Sequence, residues 1–82
     1  MELPCSVWLT KFADKQLKIL PSNIVAAFWT WVKTVELDGI RNTRKLSGYH
    51  DEPLKGDRKG QRSIRLNKAY RVIYEETNSG NI

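Results

Sequence analysis

Arg62-Ser63-Ile64-Arg65-Leu66 and Tyr70-Arg71-Val72-Ile73-Tyr74, parted by Asn67-Lys68-Ala69, decide how this chain folds. Both runs alternate polar with β-branched or aromatic residues, and the three residues between them carry turn chemistry, so the segment predicts a β-hairpin. A three-residue loop sets Leu66 opposite Tyr70 and Arg65 opposite Arg71. Like charges facing each other across a strand pair destabilise it unless an anion lies between or above them. The alternatives are guanidiniums lying flat over neighbouring aromatics, or pairing with Glu75 and Glu76. A two-residue loop would put the arginines on opposite faces.

Upstream, Ile40 to Gly60 reads as a long connection rich in Gly, Asn, Asp and charge. Such length without regular structure is uncommon in a compact domain and is often functional. Before it, Ser22 is placed to cap a helix in which Val25, Phe28, Val32 and Val35 recur at helical spacing and Gly39 supplies the end. Trp29 and Trp31 widen its apolar surface, an excess assigned to packing of the helices onto a sheet. Thr10 is placed to cap an earlier helix over Lys11 to Leu20, with Ala13, Leu17 and Leu20 on one face and Pro21 stopping it. The short link makes the two helices a hairpin. Cys5-Ser6-Val7-Trp8-Leu9 alternates as a first strand. Downstream, Glu75 to Asn81 is turn chemistry again, and after Ile82 nothing remains to pair back, so the chain is expected to stop in a second hairpin turn.

The 82 residues suit one domain, residues 1–82, with one small core. A chain this short buries only about 60% of its unfolded surface, so a partner is expected to add stability. The single cysteine, Cys5, forms no internal disulfide and fits a reducing compartment as a small buried residue. No apolar run approaches the roughly 20 residues of a membrane span, and Met1-Glu2-Leu3-Pro4 lacks the start of a signal peptide, so a cytoplasmic protein with no membrane partner is expected. The formal charge is +5. Arg41 to Arg71 holds ten bases and three acids, a local +7 that leaves −2 elsewhere. A polyanion suits such a segment, because each phosphate neutralised releases counterions. A merely soluble basic surface has the same composition.

The run from Gly48 to Leu66, Gly48-Tyr49-His50-Asp51-Glu52-Pro53-Leu54-Lys55-Gly56-Asp57-Arg58-Lys59-Gly60-Gln61-Arg62-Ser63-Ile64-Arg65-Leu66, followed by Tyr70-Arg71-Val72-Ile73-Tyr74, resembles the RelE/HigB toxins of type II toxin-antitoxin systems. The Pro-Leu-Lys-Gly element, the Ser-Ile-Arg strand and the Tyr-Arg strand stand in that family's order and spacing, and the two helices extend the likeness over almost the whole chain. It implies an α+β fold: an N-terminal strand, a helical hairpin and a mostly antiparallel sheet. It further implies ribonuclease action on messenger RNA in the ribosomal decoding site, no metal or other cofactor, and a cognate antitoxin that holds the protein inactive. Operator DNA is then a partner only through the toxin-antitoxin complex.

Cleavage of RNA through its own 2′-hydroxyl needs an acceptor for that proton, positive charge at phosphorus and a donor for the 5′-oxygen. Arg65 and Arg71 suit the charge, since guanidinium offers paired donors to phosphate oxygens. In related toxins the lysine of Pro-Leu-Lys-Gly contributes to the active site, which singles out Lys55 as base or phosphate contact. Some members carry a histidine directly before that element. Here Glu52 fills the place and His50 lies two residues earlier, so either is a candidate for handling protons. Lys45, Arg58, Lys59 and Arg62 extend the basic path towards RNA or ribosome. The family's further strand and tail, whose side chains help catalysis, have no counterpart after Ile82; of a longer natural product and a naturally shortened form the first is expected, because an unpaired strand exposes a hydrophobic edge, and the 82-residue form is expected to be weakly active or inactive. Two other readings share the fold: a ParE-like toxin that poisons gyrase, and a catalytically incomplete chain that only binds antitoxin, RNA or DNA.

Overall fold

The computed structural model describes residues 6–77 and Ile82; Cys5 and the 78–81 part of the expected last turn lie outside them. The order is α1 (Lys11–Leu17), α2 (Ser22–Asp38), α3 (Ile40–Arg44), a 3-10 turn at Ser47–Tyr49, β1 (Glu52–Pro53), a second 3-10 turn at Gly56–Arg58, β2 (Gln61–Arg65) and β3 (Arg71–Glu75). The strands form an antiparallel sheet in the order β1-β2-β3. The fold is α+β, as the sequence predicts.

Thr10 caps α1, its Oγ1 accepting from the Ala13 N–H at 3.0 Å. Thr10→Ala removes that bond and is expected to lower stability by about 1 kcal/mol, read as a lower midpoint of thermal unfolding. The helix stops at Leu17, three residues before the expected end, because Lys18 and Ile19 turn back onto Lys15 and Gln16 in tighter, 3-10-like bonds ahead of Pro21. In α2 the cap position falls on Pro21, and Ser22 makes no capping bond. Proline's fixed φ, here −56°, already gives the entry geometry.

The buried face of α2 is Ile24, Phe28, Trp31, Val32 and Val35. Val25 is only half-buried, and Ile24 takes the place expected for it. Trp31 is 1% exposed, while Trp29 stays about half out, its ring edge-on to Phe28 with centroids 5.2 Å apart. Gly39 joins α2 to α3 at φ +84° and ψ 155°, a region nearly closed to residues with a Cβ. The segment 40–60 is therefore not the structureless connection expected. Its elements are too short, at two to five residues, to show periodicity.

The hairpin has the predicted register, with Arg65 opposite Arg71 and Ile64 opposite Val72. Its ladder closes through Leu66 N–H to Tyr70 O at 2.9 Å, and the Asn67 side chain accepts from the Ala69 and Tyr70 N–H groups, which gives the loop its turn. The strands themselves start one residue off the expected bounds at β2 and β3.

Alternation then sorts the sheet into two faces. Ile64, Val72 and Tyr74 point into the core with Phe28, Trp31, Val32, Val35 and Ile40 from the helical side. Ser63, Arg65, Arg71 and Ile73 take the other face. The helices cover the first and leave the second open.

The N-terminal segment differs from expectation. Residues 6–10 carry no strand assignment among the described residues, yet Ile82 N–H donates to Ser6 O at 2.8 Å and Trp8 N–H to Ile82 O at 2.6 Å. Both bonds of one residue go to positions flanking Val7, which is parallel pairing. Ile82 therefore pairs with the N-terminal segment, and its side chain is buried in the core. A groove of about 540 Å³ lies between this segment and β3, lined by Trp8, Leu9, Phe28, Trp31, Ile73 and Ile82 among others. None of the candidate site residues lines it.

Candidate active site

The open sheet face gathers three of the sequence-predicted residues. Arg65 and Arg71 stand abreast across β2 and β3. Glu52 pairs in register with Ser63 and so shares their face. The Arg71 guanidinium donates to Ser63 Oγ from Nη2 at 2.8 Å and from Nε at 3.3 Å, and to Glu52 Oε1 from Nη2 at 3.1 Å. Ser63 is 3% exposed, so its hydroxyl is a fixed acceptor. The opposed arginines are thus relieved through Glu52, not through Glu75 or Glu76. Arg65 has no ion pair or hydrogen bond among the described residues.

Arg62, expected on the basic path, sits one residue out of phase with Ser63 and so turns to the core side. Its Nε donates to Asp51 Oδ1 at 2.6 Å. The Asp51 side chain is 1% exposed and takes a second bond from the Tyr74 hydroxyl at 2.5 Å. Tyr74 in turn accepts from Arg44 Nε at 3.1 Å, and Arg44 Nη2 reaches Glu76 at 3.3 Å. Arg44, Asp51, Arg62 and Tyr74 thus form one network under the site. Asp51, Ser63 and Tyr74 carry no local signal in the sequence that marks them as site residues. Their partners lie 8 to 23 residues away, beyond the reach of local spacing.

Burial, reinforced by the Asp51 carboxylate and opposed by Arg44, pushes the Tyr74 phenol up to about 12. For Arg44, burial pulls downward, but the bond to Tyr74 and the charges of Asp51 and Glu76 outweigh it, so the guanidinium is held more firmly protonated than usual. A tyrosine free in the unfolded chain loses its proton near pH 10, while the folded chain keeps it to about 12. The stability this supplies is complete below about pH 10 and is lost as pH climbs from there through 12. Urea unfolding is expected to show an alkaline fall on the order of 2 kcal/mol across that window, and Tyr74→Phe should remove most of it.

His50 is exposed and holds a left-handed backbone at φ 46°, ψ 48°. Lys55 follows β1 and is exposed, as are Arg58 and Lys59 in the next 3-10 turn and Lys45 at the end of α3. None of these five side chains makes an ion pair or hydrogen bond among the described residues, and no contact brings them to the arginine pair. Their sequence positions flank it: His50 lies two residues before Glu52, and Lys55 three after. Among the described residues, no three His, Cys, Asp or Glu side chains gather as a metal site. No helix there is long and apolar enough to cross a membrane.

The arrangement can do two things chemically. It offers paired N–H donors on an open, solvent-facing surface, and it holds one of them, Arg71, in a fixed orientation by a neutral and an anionic acceptor. A phosphate that displaced Glu52 would find that guanidinium already aimed.

Compared with known proteins, the chain is 32% identical over 71 residues to toxin HigB-1 of Vibrio cholerae serotype O1, a match that takes in 83% of this chain and 75% of the relative. No family model matches the sequence, and no solved structure matches it.

Proposed function

The chain belongs to the HigB/RelE family of toxins from toxin-antitoxin systems, with a cognate antitoxin as its partner, and from that premise we propose that it is an endoribonuclease that cuts messenger RNA on the ribosome. The observation that carries this reading is the arginine pair on the uncovered sheet face, with Arg71 held ready by Ser63 and Glu52.

In the reaction proposed, the RNA's own 2′-hydroxyl gives up its proton and its oxygen attacks the adjacent phosphorus. The bond from phosphorus to the 5′-oxygen breaks, and that oxygen takes up a proton. Arg65 and Arg71 stabilise the charge that builds on the non-bridging oxygens, where preorganised donors have their greatest effect. Glu52, once displaced from Arg71 by phosphate, is a carboxylate beside the reacting group, and His50 lies on the same segment; one of them accepts the 2′ proton. Lys55, with Arg58, Lys59 and Lys45, lies along the RNA or ribosome contact.

The test is primer extension on a defined message in a purified translation system, with and without ribosomes. Cuts at ribosome-occupied codons that appear only when ribosomes are present are the expected result. A folded protein that leaves the message intact in both reactions, or that instead produces DNA breaks dependent on gyrase, would refute the proposal.

A further inference from the structure

An ionised carboxylate withdrawn from water is stable only when its oxygens are hydrogen-bonded and its charge is paired. Asp51 meets both conditions at both oxygens: Arg62 of β2 on Oδ1 and Tyr74 of β3 on Oδ2, with Arg44 of α3 closing the network behind Tyr74. Two strands thus converge on one side chain of the segment between the Ser47–Tyr49 turn and β1, and α3 reaches it through Tyr74. A well-packed apolar residue there would serve stability as well or better, so the buried charge points to placement of the chain.

The residues on either side are those the proposed chemistry uses. Period-two alternation puts Asp51 below the sheet and Glu52 above it, where Glu52 reaches Arg71. His50 ends the Ser47–Tyr49 turn in a left-handed backbone at φ 46°, its N–H donating to Ser47 O, a conformation uncommon for a residue with a Cβ although histidine enters it more readily than most. Asp51 is the anchored neighbour that can impose it.

We propose that Asp51 is a positioning residue: locked beneath the sheet by Arg62 and Tyr74, it fixes the backbone that presents Glu52 to Arg71 and that carries His50 immediately before it. It touches no substrate. This rests on the ribonuclease reading for its effect on rate, though not for its effect on the segment's conformation.

Two variants test it. Asp51→Asn keeps the shape and loses the charge, and Tyr74→Phe removes one hydroxyl from the core side of the network. Both are first checked for a cooperative thermal transition. In ribosome-dependent cleavage, Asp51→Asn is expected to lower kcat by roughly 10- to 100-fold with KM within about twofold, since a small misplacement of reacting groups acts on the chemical step. Tyr74→Phe should lower kcat less, in the same pattern. An independent readout is the His50 amide-to-α-proton coupling and Cα shift by NMR in the free protein, which report its left-handed backbone. Both variants should move them toward ordinary extended values. A folded Asp51→Asn protein with the His50 signals and kcat of the parent would overturn the proposal, as would a loss confined to KM. If the parent cuts no RNA while Asp51→Asn shifts the His50 signals, the anchoring stands and the ribonuclease reading falls.

Discussion

Arg71→Ala is expected to cut ribosome-dependent cleavage by roughly 100- to 1,000-fold in kcat, the loss typical of removing one preorganised donor from a developing oxyanion. The size follows from how Arg71 is held. Its guanidinium makes two bonds to a buried hydroxyl and a third to Glu52, so it is oriented before any substrate arrives and little entropy is lost when phosphate replaces the carboxylate. Arg65 lies opposite with nothing holding it among the described residues, so Arg65→Ala should cost less in kcat and more in KM. Arg71→Lys should recover little, because an ammonium cannot span Ser63 and a phosphate at once. The same geometry gives Glu52 two opposed effects. Glu52→Gln frees Arg71 from an ion pair and should tighten RNA binding at low salt, yet lower the rate if Glu52 accepts the 2′ proton. Single-turnover kinetics with matched binding curves separates the two. Parent-level cleavage by a folded Arg71→Ala protein would remove this site from the mechanism.

What the sequence reveals of this site follows the range of the interactions that build it. The hairpin is legible because strand alternation and turn chemistry are local, and the opposition of Arg65 and Arg71 follows from counting the loop. A count of charge by segment groups Arg62 with the other cations, whereas strand phase sends its side chain to the opposite face from Arg65. The Asp51 network joins residues 11 and 23 apart through packing of the segment under the sheet, and no periodicity announces it. The one available signal is that Asp51 lies between His50 and Glu52, both already suspected. Ser63 could be found by the same phase argument that placed Arg65, since both lie on one face of β2 two residues apart. The 40–60 segment hid its elements because a two-residue strand and three-residue turns are shorter than any repeat that would identify them.

The largest effect on stability is expected at Trp31. Its ring is 1% exposed, stacks at a tilt against Tyr74 with centroids 5.4 Å apart and contacts Phe28 at 6.2 Å, so it joins the helix to the sheet strand that carries the site network. Trp31→Ala should cost about 3–5 kcal/mol, the usual range for deleting a buried indole. A chain of 82 residues has only about 4–12 kcal/mol to lose at typical values per residue. The variant is therefore expected to lose a large part of the chain's stability, which circular dichroism would show as a much lower midpoint of thermal unfolding. Trp31→Phe should behave differently. Among the described residues the buried indole N–H has no hydrogen-bond partner, so removing it sacrifices no bond there and relieves an unsatisfied donor, leaving the smaller loss of ring volume. A cost near 1 kcal/mol is expected for it, and an equal cost for both variants would mean that the N–H, and not the ring, holds this part of the core. Antitoxin that binds only the folded chain adds stability as RT ln(1 + [L]/Kd), or about 4 kcal/mol at a thousandfold excess over Kd. Trp31→Ala should then regain in the complex about what the substitution costs and lose it on release, so a toxin this small can owe much of its lifetime to the partner that restrains it.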